Sequence, residues 1–68
     1  MIELDARGLS CPDPMLMAKK AMKDAPSEEV SVSVDSASAR DNIARAAKIE
    51  GRDVTVSDTG DGWIVLIK

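Results

Sequence analysis

Valine and serine alternate without interruption over residues 30–34 (Val-Ser-Val-Ser-Val), and this short run constrains the fold more than any other part of the chain. Successive side chains of a β-strand point to opposite faces of its sheet, so the run predicts a strand with valines on one face and serines on the other. Such a strand has one face covered by a core and one face open. The chain must therefore supply a layer that packs on the valine side.

Two helical segments flank this strand and are predicted to form that layer. The first helix is predicted to run from about Pro12 to Asp24. The second is predicted to start in residues 38–41 (Ser-Ala-Arg-Asp), with Asp41 in its first turn. It should end near Glu50, because Gly51 is well suited to the position just past a helix.

The rest of the chain has strand periodicity. Residues 2–5 and 54–57 alternate, residues 58–62 have turn composition, and residues 63–67 form a closing apolar strand. The order βαβαββ predicts an α/β two-layer sandwich, with a four-stranded mixed sheet and both helices on one face. We expect a single domain over residues 1–68.

Composition narrows the classes of function. The chain has 68 residues, no histidine and one cysteine, so it offers neither an internal disulfide nor a cluster of metal ligands, and we expect no cofactor. Its net charge of −3 and its single aromatic residue, Trp63, argue against nucleic-acid binding. No apolar stretch is long enough for a membrane span and no signal peptide is visible, so we expect a reducing, cytoplasmic setting.

The only cysteine, Cys11, lies where a predicted loop gives way to the first predicted helix. Residues 8–14 read Gly-Leu-Ser-Cys-Pro-Asp-Pro, with Gly8 as the predicted turn residue. Proline is favoured at the first helical position, because its missing N–H would be unpaired there. We therefore expect Cys11 at the helix cap, where free N–H groups and the helix dipole favour an anion and a thiol ionises more readily.

The neighbours of Cys11 have opposing effects on a thiolate. Pro12 and Pro14 stiffen the helix start but have no N–H, so donors must come from Asp13, Met15 or nearby positions. The charge of Asp13 favours the helix start yet disfavours a thiolate close by, so the sequence leaves the pKa of Cys11 open. The alternative is an inert buried cysteine, since free cysteine is among the most buried residue types.

Several familiar cysteine chemistries do not fit this composition. A cysteine hydrolase would need a histidine base and a dithiol oxidoreductase a second cysteine, and the chain has neither. A lone exposed thiolate can still accept a group, hold it and pass it on. Sulfane sulfur is a natural cargo, because its transfer needs only a nucleophilic thiol and a partner at each end.

Helical geometry divides the first helix into two faces. At about 100° per residue, one broad arc collects the apolar side chains and is the predicted core face: Met15, Met17, Ala18, Ala21, Met22 and Ala25. Leu16 projects from the opposite arc among Lys19, Lys20 and Lys23. We interpret these four residues as candidate contacts for an acidic partner. The alternative is a single exposed leucine on a solvated face.

The closing strand, residues 63–67, is apolar on both faces, whereas the other strands are apolar on one. In a two-layer domain one of its faces should look toward solvent and could meet a partner or a second copy, so a weak homodimer stays open. The alternative is that Trp63 covers the edge of the sheet.

Residues 4–14 (Leu-Asp-Ala-Arg-Gly-Leu-Ser-Cys-Pro-Asp-Pro) resemble the signature of the TusA/SirA/YedF family of small sulfur-carrier proteins, whose hallmark is a Cys-Pro-X-Pro box after a strand and a Gly-Leu turn. The resemblance extends over nearly the whole chain, including residues 15–20, residues 38–43 and the closing hairpin. The Asp-Ala-Arg-Gly-Leu lead-in is most similar to the amino-terminal domain of YedF-like proteins. Those proteins often carry a second domain, and the sequence leaves open whether one is normally attached here.

The resemblance implies a two-layer α/β sandwich in which Cys11 accepts sulfur as a persulfide. The implied donor is a cysteine desulfurase or a rhodanese-like protein, and the sulfur then passes to an acceptor protein. The residues expected to support Cys11 are Arg7, Gly8, Pro12, Asp13 and Pro14. The resemblance leaves open whether the relay serves tRNA thiolation, molybdenum-cofactor maturation or sulfur oxidation.

Two other hypotheses remain at this point. The chain could be a regulatory or protein-binding module without chemistry, as for YedF-like members associated with selenium metabolism. It could also be a small RNA-binding domain, which its acidic balance disfavours.

Overall fold

The computed structural model describes residues 1–9 and 13–68, which form one sheet and two helices. The elements in chain order are β1 (Ile2–Asp5), α1 (Asp13–Asp24), β2 (Val30–Val34), α2 (Ala37–Ile49), β3 (Val54–Asp58) and β4 (Trp63–Ile67). This order confirms the predicted βαβαββ arrangement. Within the described residues, neither helix has the length and apolar character that a membrane span requires.

The four strands form a mixed sheet in the order β1-β2-β4-β3. β1 runs parallel to β2, and β4 runs antiparallel to both β2 and β3. The last of the described strands therefore lies inside the sheet with a partner on each side. The alternative in which Trp63 covers a sheet edge is wrong for this reason.

The valine face of β2 is the centre of the core, as its alternation predicts. Val30, Val32 and Val34 are at most 1% exposed, whereas Ser31 and Ser33 lie half-buried on the other face of the sheet. Burying each valine contributes about 1.5–3 kcal/mol. The helix residues that complete the core are mostly alanines, which let the helices approach the sheet closely: Ala18, Met22, Ala39, Ile43, Ala46 and Ala47.

The start of α2 differs from the prediction. The helix begins at Ala37 and is capped by Ser36, whose Oγ accepts the backbone N–H of Ala39 at 3.0 Å. Its first turn holds no acidic residue, so the predicted start at Ser38 with Asp41 in the first turn is wrong. Both serines offer the same side chain, but Ser36 has the extended backbone that a cap requires, and Ser38 is already helical.

The end of α2 agrees with the prediction. Gly51 has a φ of +77°, a left-handed conformation that glycine adopts without steric cost. Its N–H donates to the Lys48 carbonyl at 2.9 Å, and the N–H of Arg52 donates to the Ala47 carbonyl at 3.0 Å. These two bonds are the pair that defines a Schellman motif, and they satisfy carbonyls that the helix itself leaves unpaired.

Candidate functional site

Ser10, Cys11 and Pro12 lie outside the described residues. The site is therefore built from its two flanks, the loop after β1 on one side and the first turn of α1 on the other. The position of Cys11 at a helix cap and the role of Pro12 stay predictions.

The upstream flank is attached to the sheet through Ala6. Ala6 is 1% exposed, and its N–H donates to the Ser33 carbonyl at 2.8 Å, which extends the parallel pairing beyond the end of β1. The loop then turns at Gly8, whose φ of +79° lies in the left-handed region. The N–H of Leu9 returns to the Ala6 carbonyl at 3.4 Å. The predicted turn residue is thus confirmed.

Gly8 also binds a residue that the sequence analysis missed. Its N–H donates to Oδ2 of Asp35 at 2.9 Å, and Asp35 comes directly after β2. Because β1 and β2 are parallel, their carboxyl ends meet at the same edge of the sheet, where ligands commonly bind in open α/β folds. An acidic residue directly after a parallel strand was the available signal for Asp35.

Arg7 is held by Asp5 in a two-point contact. Its Nε donates to Oδ1 at 3.0 Å and its Nη2 to Oδ2 at 3.1 Å, and its backbone N–H also donates to Oδ1 at 3.1 Å. The hydrogen bonds from the Arg7 side chain, followed by the one from its backbone, lower the pKa of Asp5 from 3.8 to about 2. The charge of the guanidinium is thus partly neutralised by Asp5. Whether Arg7 adds positive charge around Cys11 stays a prediction.

Further carboxylates lie within electrostatic range of this pair. The hydrogen bond to Asp5 is the main reason why the pKa of Arg7 is raised, and Asp61 and Asp35 add smaller contributions. Even so, no group of three or more cysteine, histidine, aspartate or glutamate side chains within residues 1–9 and 13–68 is placed to hold a metal ion.

The downstream flank is anchored by Pro14. Asp13 is the exposed first residue of α1, where a negative charge interacts favourably with the helix dipole. Pro14 is less than 2% exposed, so the ring of this second proline fills a place in the core. A proline in the first turn also loses no helical hydrogen bond, because its N–H would have no partner there. The chain is therefore fixed on both sides of the segment that contains Cys11.

The exposed face of α1 carries the predicted partner contacts. Leu16 is 52% exposed, and Lys19, Lys20 and Lys23 are exposed around it, as the helical arc predicts. With Glu50 they line an open groove of about 510 Å³. The structure thus brings all four predicted residues together, and their binding role remains a prediction.

Comparison with known proteins covers all six elements described above. A family model described as Sulfurtransferase TusA matches residues 2–68. The chain belongs to the TusA family. This membership gives it a general sulfur-carrier role, in a family whose proteins interact with sulfur donors and acceptors.

A solved structure agrees with this family membership. The crystal structure of a SirA-like protein from Desulfitobacterium hafniense is 31% identical, covers 98% of this chain and 95% of its own, and superimposes with a TM-score of 0.91. The likeness confirms the predicted two-layer fold and the resemblance to TusA and SirA proteins. The comparison with curated proteins finds no match. The particular closeness to YedF-like proteins stays a prediction.

In this TusA-family chain the exposed helix face extends onto α2, which the sequence analysis did not foresee. Ile49 is 77% exposed, the largest exposed fraction of any large apolar residue described, and Arg45 and Lys48 lie beside it around a shallow groove of about 430 Å³. Helical periodicity carried the signal, because Ile49 falls about 200° away from buried Ala47 at 100° per residue. We define the helix-face patch as Leu16, Lys19, Lys20, Lys23, Arg45, Lys48 and Ile49.

Proposed function

We propose that this chain accepts sulfane sulfur as a persulfide on Cys11 and passes it to an acceptor protein. The supporting observation is the TusA family match over residues 2–68 in a chain whose only cysteine is Cys11. Sulfur carriage needs a nucleophilic sulfur atom, and the chain contains no other thiol.

The transfer needs no base and no second thiol from this chain. The Cys11 thiolate attacks the terminal sulfur of a donor persulfide, the donor's S–S bond breaks, and the donor leaves as a thiolate. The new persulfide on Cys11 keeps the proton that the terminal sulfur carried. An acceptor nucleophile then attacks that outer sulfur and releases Cys11 as a thiolate. The donor step exchanges one S–S bond for another, so no external oxidant or reductant takes part in it, and in the second step the S–S bond is replaced by a bond between the outer sulfur and the acceptor.

The two flanks support such a site because each attaches the chain to the core or the sheet next to the segment that contains Cys11. The upstream loop is attached at Ala6 and Gly8, and the downstream turn is attached by the buried ring of Pro14. α1 begins two residues after Cys11 in sequence, and the positive end of a helix favours an anionic sulfur near it. Fixing the chain on both sides favours transfer, because a positioned nucleophile has less conformational freedom to lose on meeting its partner.

The helix-face patch supports the choice of partner. The chain has a net charge of −3, yet this patch combines five cations with two exposed apolar side chains, Leu16 and Ile49, and outweighs the two carboxylates, Asp41 and Glu50, that line the same grooves. An acidic protein surface with an apolar side chain at its centre would match it in both respects. We propose that a donor, either a cysteine desulfurase or a rhodanese-like protein, docks here while its persulfide reaches Cys11.

Intact-mass measurement tests the carrier role directly. After incubation with a cysteine desulfurase and cysteine under non-reducing conditions, the wild-type chain should gain the mass of one sulfur atom. The matched Cys11→Ser variant should fold normally and gain nothing. The loaded protein should then lose the sulfur when an acceptor thiol is added. A wild-type chain that gains no sulfur would contradict the proposal. Selenocysteine in place of cysteine reports whether selenium can also be carried.

Donor docking is tested by charge reversal on α1. Lys19→Glu with Lys23→Glu should slow loading at low donor concentration and leave the rate at saturating donor nearly unchanged, because the substitutions weaken encounter and not chemistry. The defect should shrink as salt is added. Lys68→Glu, an exposed lysine after β4, is the control. Equal loading rates for all three proteins would remove the patch from the proposal.

The same patch also favours a second candidate, a protein-binding module without chemistry. Exposed apolar side chains ringed by cations suit a docking surface whether or not a thiol takes part. This candidate predicts that Cys11→Ala keeps both partner binding and the cellular phenotype. The carrier proposal predicts that binding survives and the phenotype is lost.

A further inference from the structure

The outer edge of β1 has an apolar groove on one side. β1 is the first strand in the sheet order and pairs with β2, and among residues 1–9 and 13–68 no strand lies beside its other edge. Between this edge and α1 lies a groove of about 320 Å³. Its walls are mainly apolar, with one charged residue of each sign: Ile2, Leu4, Met17, Lys20, Ala21 and Asp24.

The backbone of β1 offers unpaired groups along the same edge. The N–H of Ile2 donates to the Glu29 carbonyl and that of Ala6 to the Ser33 carbonyl, both at 2.8 Å, so these groups point toward β2. Backbone groups alternate in direction along a strand. The N–H and C=O groups of Glu3 and Asp5 therefore point outward, where an added strand can pair with them.

The opposite side of β1 is polar and acidic. A shallow depression of about 290 Å³ lies over the open face of the sheet, lined by Glu3, Leu4, Asp5, Arg7, Ser31, Ser33 and Ile64, and of these only Leu4 also lines the apolar groove. Arg7 is already bound by Asp5, whereas Glu3 is exposed and forms no ion pair among the contacts described. A side chain of a bound partner that lies on the open face of the sheet therefore meets the carboxylates of Glu3 and Asp5, and one that lies on the helix side meets the apolar groove.

These two sides match the period of an extended chain. Side chains of a strand alternate between the faces of its sheet, so a strand added to β1 would place every second residue in the groove and the others near Glu3 and Asp5. We infer that the edge of β1 is a docking site for an extended segment of a partner protein in which apolar and cationic residues alternate. Backbone pairing supplies affinity in this mode of binding, and the alternating contacts supply specificity.

A second copy of the chain is a poor occupant of this edge. Antiparallel pairing of two β1 strands places residues of the same face opposite each other, so Glu3 of one copy would face Glu3 or Asp5 of the other. Like charges in directly opposed positions destabilise a strand pair. The other edge strand, β3, has neutral Thr55 and Ser57 on the open face, so charge on that face would neither attract a cationic segment nor repel a second copy.

The probe for this site is the blocked peptide Ac-Val-Lys-Val-Lys-Val-Lys-amide, added to isotope-labelled protein and followed by NMR. The largest shift changes should fall on Ile2–Asp5, Met17 and Ala21. At saturation, hydrogen exchange at the Glu3 and Asp5 amides should slow by about tenfold. Two control peptides, with glutamate for lysine or serine for valine, should bind much more weakly. Cys11→Ser should bind the probe like the wild type, so the result is independent of the sulfur-carrier proposal.

A matched pair of variants separates edge pairing from general attraction of a cationic peptide. Glu3→Lys should weaken binding by about fivefold to tenfold, because an attraction becomes a repulsion. Thr55→Lys, which places a lysine on the other edge strand with a charge change of one unit instead of two, should alter binding by less than about twofold. Equal binding by both variants, shifts centred on β3, or no saturable shifts would each overturn the inference. So would slow exchange at Glu3 and Asp5 that depends on protein concentration without peptide, since the occupant would then be a second copy.

Discussion

The backbone N–H of Gly8 donates to the Asp35 carboxylate at 2.9 Å and so joins the loop leading to Cys11 to the end of β2. The two residues are 27 positions apart in the chain. Together with the left-handed backbone of Gly8, this bond sets the direction in which the loop leaves the carboxyl ends of the two parallel strands.

Asp35→Ala removes the bond that positions the loop leading to Cys11, so it should affect sulfur loading clearly while changing the stability of the fold only slightly. We expect the free energy of unfolding to fall by about 1 kcal/mol or less, because the bond is exposed and water can replace it. The initial rate of sulfur loading should fall even though this small loss of stability leaves nearly all of the protein folded. Urea unfolding and intact-mass kinetics measure the two effects. Asp53→Ala, in the loop before β3, is the control, and an unchanged loading rate in Asp35→Ala would contradict the role given to this bond.

The Asp5–Arg7 pair should make stability depend on pH in the acid range. The pKa of Asp5 is lowered to about 2 from its ordinary 3.8, so the folded state binds this proton less readily than the unfolded chain does. The stabilisation is therefore complete above about pH 3.8 and is lost as the pH falls through 2. Carboxyl NMR shifts should titrate Asp5 near 2 in the folded protein. In Arg7→Ala the pKa should rise toward its ordinary value but not reach it, because the backbone N–H of residue 7 still donates.

The cap of α2 gives a test with a built-in control. Ser36→Ala should lower the free energy of unfolding by about 1 kcal/mol, because the Ala39 N–H loses its acceptor at the helix start. Ser38→Ala should change it by less than about 0.5 kcal/mol, since Ser38 is exposed and already inside the helix. Thermal or urea unfolding of the two variants measures both values. A larger loss for Ser38→Ala would restore the start that the sequence pattern indicated.

Arg40 stacks on Trp63 and should control its environment. The guanidinium carbon lies 4.6 Å from the centre of the indole ring, and Nε also donates to Asp41 at 2.9 Å. Arg40→Ala should expose the ring to water, shift tryptophan emission to longer wavelength and lower the free energy of unfolding by about 0.5–1 kcal/mol. Because Trp63 is the only aromatic residue, the emission reports the environment of this one side chain. Arg45→Ala, on the exposed face of the same helix, should leave the emission unchanged.

Local periodicity was sufficient for the elements and their faces, because side-chain direction in a strand or helix depends on position alone. Val30–Val34 and the arc around Leu16 are the clearest cases. Strand order needed more than periodicity, since pairing joins segments far apart in the chain. Residues 63–67 are apolar on both faces; β4 lies inside the sheet, with Val65 and Ile67 buried on the helix side and Ile64 and Leu66 half-buried on the open side.

The features of the fold and site that the sequence did not predict depend mainly on contacts between residues far apart in the chain or on the path of the backbone. Asp35 reaches Gly8 because two parallel strands bring their carboxyl ends together; its place directly after β2 was a signal for the residue, but no local pattern identifies Gly8 as its partner. Ser36 and Ser38 are equivalent as side chains, and only the path of the backbone leaving β2 distinguishes them. Ile49 was accessible to the same arc argument that identified Leu16, and it extends the predicted surface from one helix to two.

The interior position of β4 has a consequence for how this protein is made. Ribosomes synthesise β1, both helices and β3 before β4, yet β3 has no partner in the sheet until β4 arrives to join it to β2. Closure of the sheet must therefore wait until translation has passed Ile67. During that interval the nascent chain already contains Cys11, although the sheet is still incomplete.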